Sequence, residues 1–208
     1  MFPINLDLSH LPVALVGNGP RAARRLALLD ADGAGTVTVY APSPDHHLAR
    51  QAGGRLQRRW PTPTEVAQAR LLLIADNVER GVLRDLVAIA RAGGVLVNVE
   101  DQPELCDFHS PAIVRRGDLL LTVSTGGRSP RLAHRIGSFL GEVFGPEWQR
   151  RLEELGALRS LWREAGADSQ TVSAWTDAWV DRYGQLPSES ETKAAAAEAA
   201  ASVLAAPL

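Results

Sequence analysis

The sequence predicts an α/β protein: a parallel sheet covered by helices, then a small α+β segment, then a helical C-terminal region. Three observations carry that expectation. Apolar runs of strand length alternate with segments of helical spacing through about residue 100. Those runs are apolar on both faces, as strands of a helix-covered parallel sheet are. After residue 108 the pattern changes to two strand-like runs in quick succession, followed by helical sequence.

Residues 11–16 form the first apolar run, broken by Gly17-Asn18-Gly19-Pro20. A helix is expected over 21–29, where Ala22, Ala23, Leu26 and Leu29 share one face. Residues 37–40 read as a second strand closed by Ala41-Pro42-Ser43-Pro44, and a polar helix is expected over 46–52. A third strand spans 71–75. A helix over 78–91 ends at Gly93-Gly94, and the next strand covers 95–99. This is a Rossmann-like domain, placed at residues 1–112.

Residues 112–115 and 119–124 are strand-like and joined by Arg116-Gly117-Asp118, which reads as a hairpin turn. Ser129 and Pro130 suit the N-cap and first position of a helix running to about residue 144. Residues 113–145 are taken as a small α+β domain. Residues 146–208 are taken as a helical region, with Leu152, Leu155, Leu158 and Leu161 at three-residue steps and an alanine-rich tail over 191–204.

Composition narrows the function. The 208 residues carry 22 basic and 24 acidic side chains, a net charge of −2, which disfavours a nucleic-acid binder. The single cysteine, Cys106, excludes an intramolecular disulfide and a thiolate-rich zinc cage. Lys193 is the only lysine, so neither a P-loop nor a Tyr-x-x-x-Lys dehydrogenase has its lysine in place. No secretory signal and no membrane span is expected, and the compartment reads as cytoplasmic.

Three constellations could carry chemistry. Gly17-Asn18-Gly19-Pro20-Arg21-Ala22 is a G-x-G-x-x-A turn between strand and helix, where free N–H groups favour a pyrophosphate. The usual acid for the ribose is missing at Tyr40-Ala41-Pro42-Ser43, which leaves backbone groups and Ser43. Asp101, past the strand at 95–99, faces a ligand crevice or else caps the following turn. Ser124-Thr125-Gly126-Gly127-Arg128-Ser129-Pro130-Arg131 is an anion-binding concavity or an exposed charged helix face. With Arg115, Arg116 and Arg135 it gathers five arginines, suited to a ligand rich in carboxylates or phosphates. His46 and His47 are adjacent and make a poor metal pair. His109 and His134 suit either site or structural roles, and no metal site is expected.

The stretches Asn98-Val99-Glu100-Asp101-Gln102-Pro103, Phe108-His109-Ser110-Pro111-Ala112 and Ser124-Thr125-Gly126-Gly127-Arg128-Ser129-Pro130 closely resemble the precorrin-2 dehydrogenase family, a module also found in siroheme synthases. Ala41-Pro42 and Ala75-Asp76-Asn77 fit as well, and the resemblance spans about residues 3–145. It implies NAD-dependent oxidation of precorrin-2 to sirohydrochlorin, with NAD bound despite the missing ribose acid. It places the catalytic aspartate at Asp101, as general base or substrate-positioning group. The cofactor residues it implies are Gly17, Asn18, Gly19, Pro20, Arg21, Ala41, Pro42, Ser43 and Asp76. The substrate residues are His109, Ser124, Thr125, Gly126, Gly127, Arg128, Ser129 and Arg131. It also implies a homodimer through 113–145. Some relatives insert Fe2+ or Co2+ into sirohydrochlorin, an alternative activity that would use Asp101 and His109. Beyond residue 148 a poor match is expected, as is the absence of a following methyltransferase.

Overall fold

The computed structural model describes residues 2–76 and 78–182. Among them two compact units form. One runs to Ala112 and includes Ser124–Ala133; the other comprises Ile113–Val123 and the chain from His134.

In the first unit, β1 (Pro12–Val16), β2 (Thr36–Tyr40), β3 (Leu56–Gln57), β4 (Leu71–Ile74) and β5 (Leu96–Val99) make one parallel sheet in the order β3-β2-β1-β4-β5. Helices α1 (Pro20–Ala31), α2 (His46–Ala52), α3 (Pro63–Gln68) and α4 (Arg80–Ala92) connect the strands. Side chains alternate along β1 and so feed two cores. Val13 and Leu15 cluster with Ala22, Ala23, Leu26 and Leu29 of α1 and Leu48 of α2. Ala14 and Val16 cluster with Val66 of α3 and Leu83, Leu86, Val87 and Ala90 of α4. The helix-covered parallel sheet expected from the sequence is the architecture found.

Apolar periodicity gives no notice of β3 or α3. The first has two residues, and the second has six with Val66 its one buried side chain. Caps define α3 instead. The Thr62 hydroxyl accepts from the Glu65 N–H, and the Glu65 carboxylate accepts from the Thr62 N–H at 2.8 Å. Arg59 forks onto both Glu65 oxygens at 2.7 Å. Chiefly the Arg59 hydrogen bonds, then the Thr62 N–H, hold the Glu65 carboxyl at about 2, against an ordinary 4.5. A carboxyl depressed on folding stabilises the protein above its unfolded value, and that contribution disappears as pH falls from about 4.5 through about 2. Glu65→Gln is therefore expected to lower the urea midpoint at pH 6, with the gap to the unaltered protein narrowing toward pH 2.5. A gap independent of pH would refute the assignment.

In the second unit, β6 (Ala112–Arg116) and β7 (Leu119–Val123) form a two-stranded sheet turned at Gly117, whose φ of +59° lies in the left-handed region. Helix α5 (Pro130–Val143), whose first residues to Ala133 count with the first unit, is followed by α6 (Glu147–Glu164) and α7 (Ser169–Arg182). Ser129 caps α5 by accepting the Leu132 N–H, as its position predicts. Arg116 closes the other end, donating to the carbonyls of Gly141 and Phe144 at 2.9 and 2.8 Å. The leucines of α6 are not a buried stripe; no residue of that helix is buried. A three-residue step falls short of a 3.6-residue turn by about 60°, so successive leucines wind off any one face. Trp162 on α6 and Trp175 on α7 meet edge-on at 5.3 Å, and Arg159 donates to the Thr176 hydroxyl at 2.9 Å. The alanine-rich segment 191–204 lies outside the described residues.

Candidate active site

Strand order reverses between β1 and β4, and in an open parallel sheet ligands settle in the crevice at such a reversal. The register aligns the C-terminal ends there: Val16 pairs with Tyr40 and Ile74, and Ile74 with Val99. Backbone hydrogen bonds continue one step further, from Gly17 N to Tyr40 O, Ala75 N to Val16 O and Glu100 N to Ile74 O. The sequence from Gly17, Ala75 and Glu100 onward thus leaves the sheet along one edge.

Gly17 is required at that edge, because an added Cβ would collide with the Ala75 carbonyl. Asn18 ties the turn to the β2–α2 loop. Its side-chain oxygen accepts the Ser43 N–H at 2.9 Å and its carbonyl accepts the Asp45 N–H at 2.7 Å. Helix α1 opens at Gly19 with no side-chain cap and no acid in its first turn. The carboxylate it lacks comes from Asp76, just past β4. Asp76 accepts from Gly19 N at 2.9 Å, Arg21 N at 3.2 Å and Ala22 N at 3.1 Å; Pro20 has no N–H to give. A cavity of about 350 Å3 beside it is lined by Asn18, Gly19, Arg21 and Asp76.

Asp101 stands two residues past β5 with φ +59°, a left-handed conformation that Asp and Asn tolerate better than most residues. Its side chain is 72% exposed and pairs with the Arg21 guanidinium. That contact, hydrogen bond first and charge second, holds Arg21 still more firmly protonated. The 3-10 turn at Pro103–Leu105 is N-capped by Gln102 with no side-chain cap bond. The contact that Asp101 makes is with the crevice arginine.

One helical turn beyond Arg21, Arg25 reaches Glu100 with Nε and Nη2 (3.2 and 3.0 Å), Asn98 Oδ1 at 3.2 Å and the Ser110 hydroxyl at 2.7 Å. Asn98, 5% exposed, donates to the Phe108 carbonyl at 2.8 Å. The single Cys106 S–H lies within reach of the Val99 and Gln102 carbonyls at 3.2 and 3.3 Å, and its sulfur accepts the Val99 N–H. These contacts fix the segment 99–110 that carries Asp101 and the half-buried His109. Sequence reasoning assigns Arg25, Asn98 and Cys106 no part in holding this segment. The available sign was an asparagine within an apolar strand.

In the Ser124–Arg131 segment, Gly126 and Gly127 both have left-handed φ (+60° and +79°). Thr125 and Ser129 bond reciprocally at 3.1 Å, and Arg128 and Arg131 are exposed. Arg115, His134 and Arg135 are exposed in the second unit, while the guanidinium of Arg116 is committed to backbone carbonyls. Among the described residues no three His, Cys, Asp or Glu side chains gather as a metal site, and no helix is long and apolar enough to cross a membrane.

Residues 4–112, more than half of the chain, match the model of a putative NAD(P)-binding family. The chain belongs to that family. Within it, the chain is 41% identical over 137 residues to a siroheme synthase of Methylococcus capsulatus, covering 64% of this chain and 28% of that protein. It is 33% identical over 201 residues to a siroheme synthase of Methylobacillus flagellatus, covering 93% and 42%. Its fold is similar to that of the solved SirC, precorrin-2 dehydrogenase, with TM-score 0.69 and 23% identity over 93% of this chain and 96% of that one. These relatives bear out the family resemblance read from the sequence. The chain spans about a third of the length of the curated siroheme synthases it matches. The alignment of 201 residues runs well past residue 148, into the part of the chain where a poor match is expected from the sequence.

Proposed function

We propose that this protein is an NAD-dependent precorrin-2 dehydrogenase. It oxidises precorrin-2 to sirohydrochlorin, one hydrogen leaving as hydride to NAD+ and a second as a proton that passes through Asp101 to solvent. The observation that supports this reading best is the double part played by Arg21. Its backbone N–H belongs to the donors that hold an anion at the α1 N-terminus, and its side chain grips Asp101. The nucleotide turn and the candidate catalytic carboxylate therefore share one residue.

The donor set fits a dinucleotide: Gly19, Arg21 and Ala22 already hold a carboxylate, and the turn that presents these donors packs against the Ala75 carbonyl, which a Cβ on Gly17 would prevent. When bound, the cofactor supplies a hydride acceptor. The chain does the rest. The α1 N–H groups bind phosphate oxygens, while Ala41, Pro42 and Ser43 border the ribose without an acid. Asp101 orients the macrocycle through its pyrrole N–H groups and receives the departing proton. His109 and the Ser124–Arg131 segment, with exposed Arg128 and Arg131, meet its carboxylates. The deciding experiment supplies precorrin-2 and NAD+ anaerobically and follows NADH absorbance. No NADH above the blank would remove this reading, and metal insertion into sirohydrochlorin without NAD+ would replace it with the chelatase.

Residues 113–145 form the dimerisation part in this reading. Leu132, Ile136, Phe139 and Val143 recur along α5 at helical spacing and are exposed, Phe139 by 61%. A second copy of the chain covers this stripe. Light scattering is expected to give twice the chain mass, and Phe139→Glu to give a folded monomer; a monomeric unaltered protein would refute the dimer.

A further inference from the structure

The α1 N-terminus carries its own anion. Its cap is a glycine and its first turn has no acid, yet three N–H groups are satisfied by one carboxylate 54–57 residues away in sequence. Those are the donors a dinucleotide phosphate requires, and they cannot serve both. An added Cβ on Gly19 would come within 3.1 Å of Asp76 Oδ1, so the carboxylate lies directly against the turn. Two anions on the same donors would also repel each other.

We propose that Asp76 is an internal competitor of the nucleotide phosphate, which must displace it to bind, so that this residue sets cofactor affinity. The inference rests on the dinucleotide reading above and adds a determinant to it. A ligand whose site is open only part of the time has its apparent Kd raised by the inverse of the open fraction. Asp76 meanwhile satisfies the turn, sparing the helix end unpaired donors. The aspartate's φ of +66° places it in a region open to Asn with little strain. Asp76→Asn therefore keeps the backbone while weakening the internal bond; Asp76→Ala removes the bond altogether but adds strain.

Titration calorimetry with NAD+ and, separately, with inorganic pyrophosphate tests this on the whole chain. Asp76→Asn is expected to bind both about tenfold more tightly than the unaltered protein, and Asp76→Ala at least as tightly when folded by circular dichroism. Without ligand both variants are expected to melt lower, and to gain more from added NAD+. Equal or weaker affinity in Asp76→Asn, with NAD+ bound by the unaltered chain, overturns the competitor and leaves the dinucleotide reading standing. Tighter pyrophosphate binding with no NAD+ binding by any variant supports the competitor and removes the dinucleotide reading. No binding of either probe by any variant overturns both.

Discussion

Asp101→Asn is expected to reduce NADH formation from precorrin-2 by at least about 100-fold, the usual range for losing a positioned acid–base group, while NAD+ binding persists. Asparagine is the discriminating replacement. It tolerates the left-handed backbone at this position, so the β5 edge survives, and it changes only the charge and the acceptor capacity. The exposed carboxylate makes no contact with the Gly19, Arg21 or Ala22 N–H groups, which are met by Asp76. Its loss frees the Arg21 guanidinium, a change that favours an incoming anion. Stopped turnover with NAD+ affinity equal to or above that of the unaltered chain is thus the predicted signature. Turnover within a factor of a few of the unaltered rate would show that another carboxylate does this work.

Much of this edge was legible because its parts are local. The glycine turn lies between an apolar run and a helical pattern, and Asp101 lies just past another run; strand ends in a parallel sheet then bring them to one side. The Arg116-Gly117-Asp118 turn and the Ser129 cap follow from short-range backbone chemistry in the same way. What escaped notice depends on partners far apart in sequence. Nothing near Asp76 marks it as the cap of a helix beginning at Pro20, since the cap residue and the helix are separated by β2, β3 and β4. Arg116 reads as one more cation in a basic cluster until the end of α5 is beside it. The leucines of α6 recur at three-residue steps, an interval that keeps no single face, and none of them is buried.

Arg25→Met should reveal whether the setting of Asp101 matters apart from the carboxylate itself. The methionine keeps the apolar stem of α1 but deletes a guanidinium that bonds Glu100, Asn98 and Ser110 at once. Arg25 and Glu100 side chains are 20% and 24% exposed, so the acid left behind is poorly solvated. Leaving such groups unpaired costs about 1–3 kcal/mol, a fall of roughly 2–12 °C in Tm for a chain of this length. Loss of stability alone would fit any structural residue. The positioning role predicts something further: kcat for NADH formation drops about tenfold or more at a temperature where the variant is fully folded, with NAD+ affinity close to that of the unaltered chain. Arg25→Lys, which keeps the charge but not the fork, should recover part of the stability and little of the turnover. If both substitutions lower Tm yet leave kcat untouched, the latch on segment 99–110 stabilises the fold without aiming Asp101.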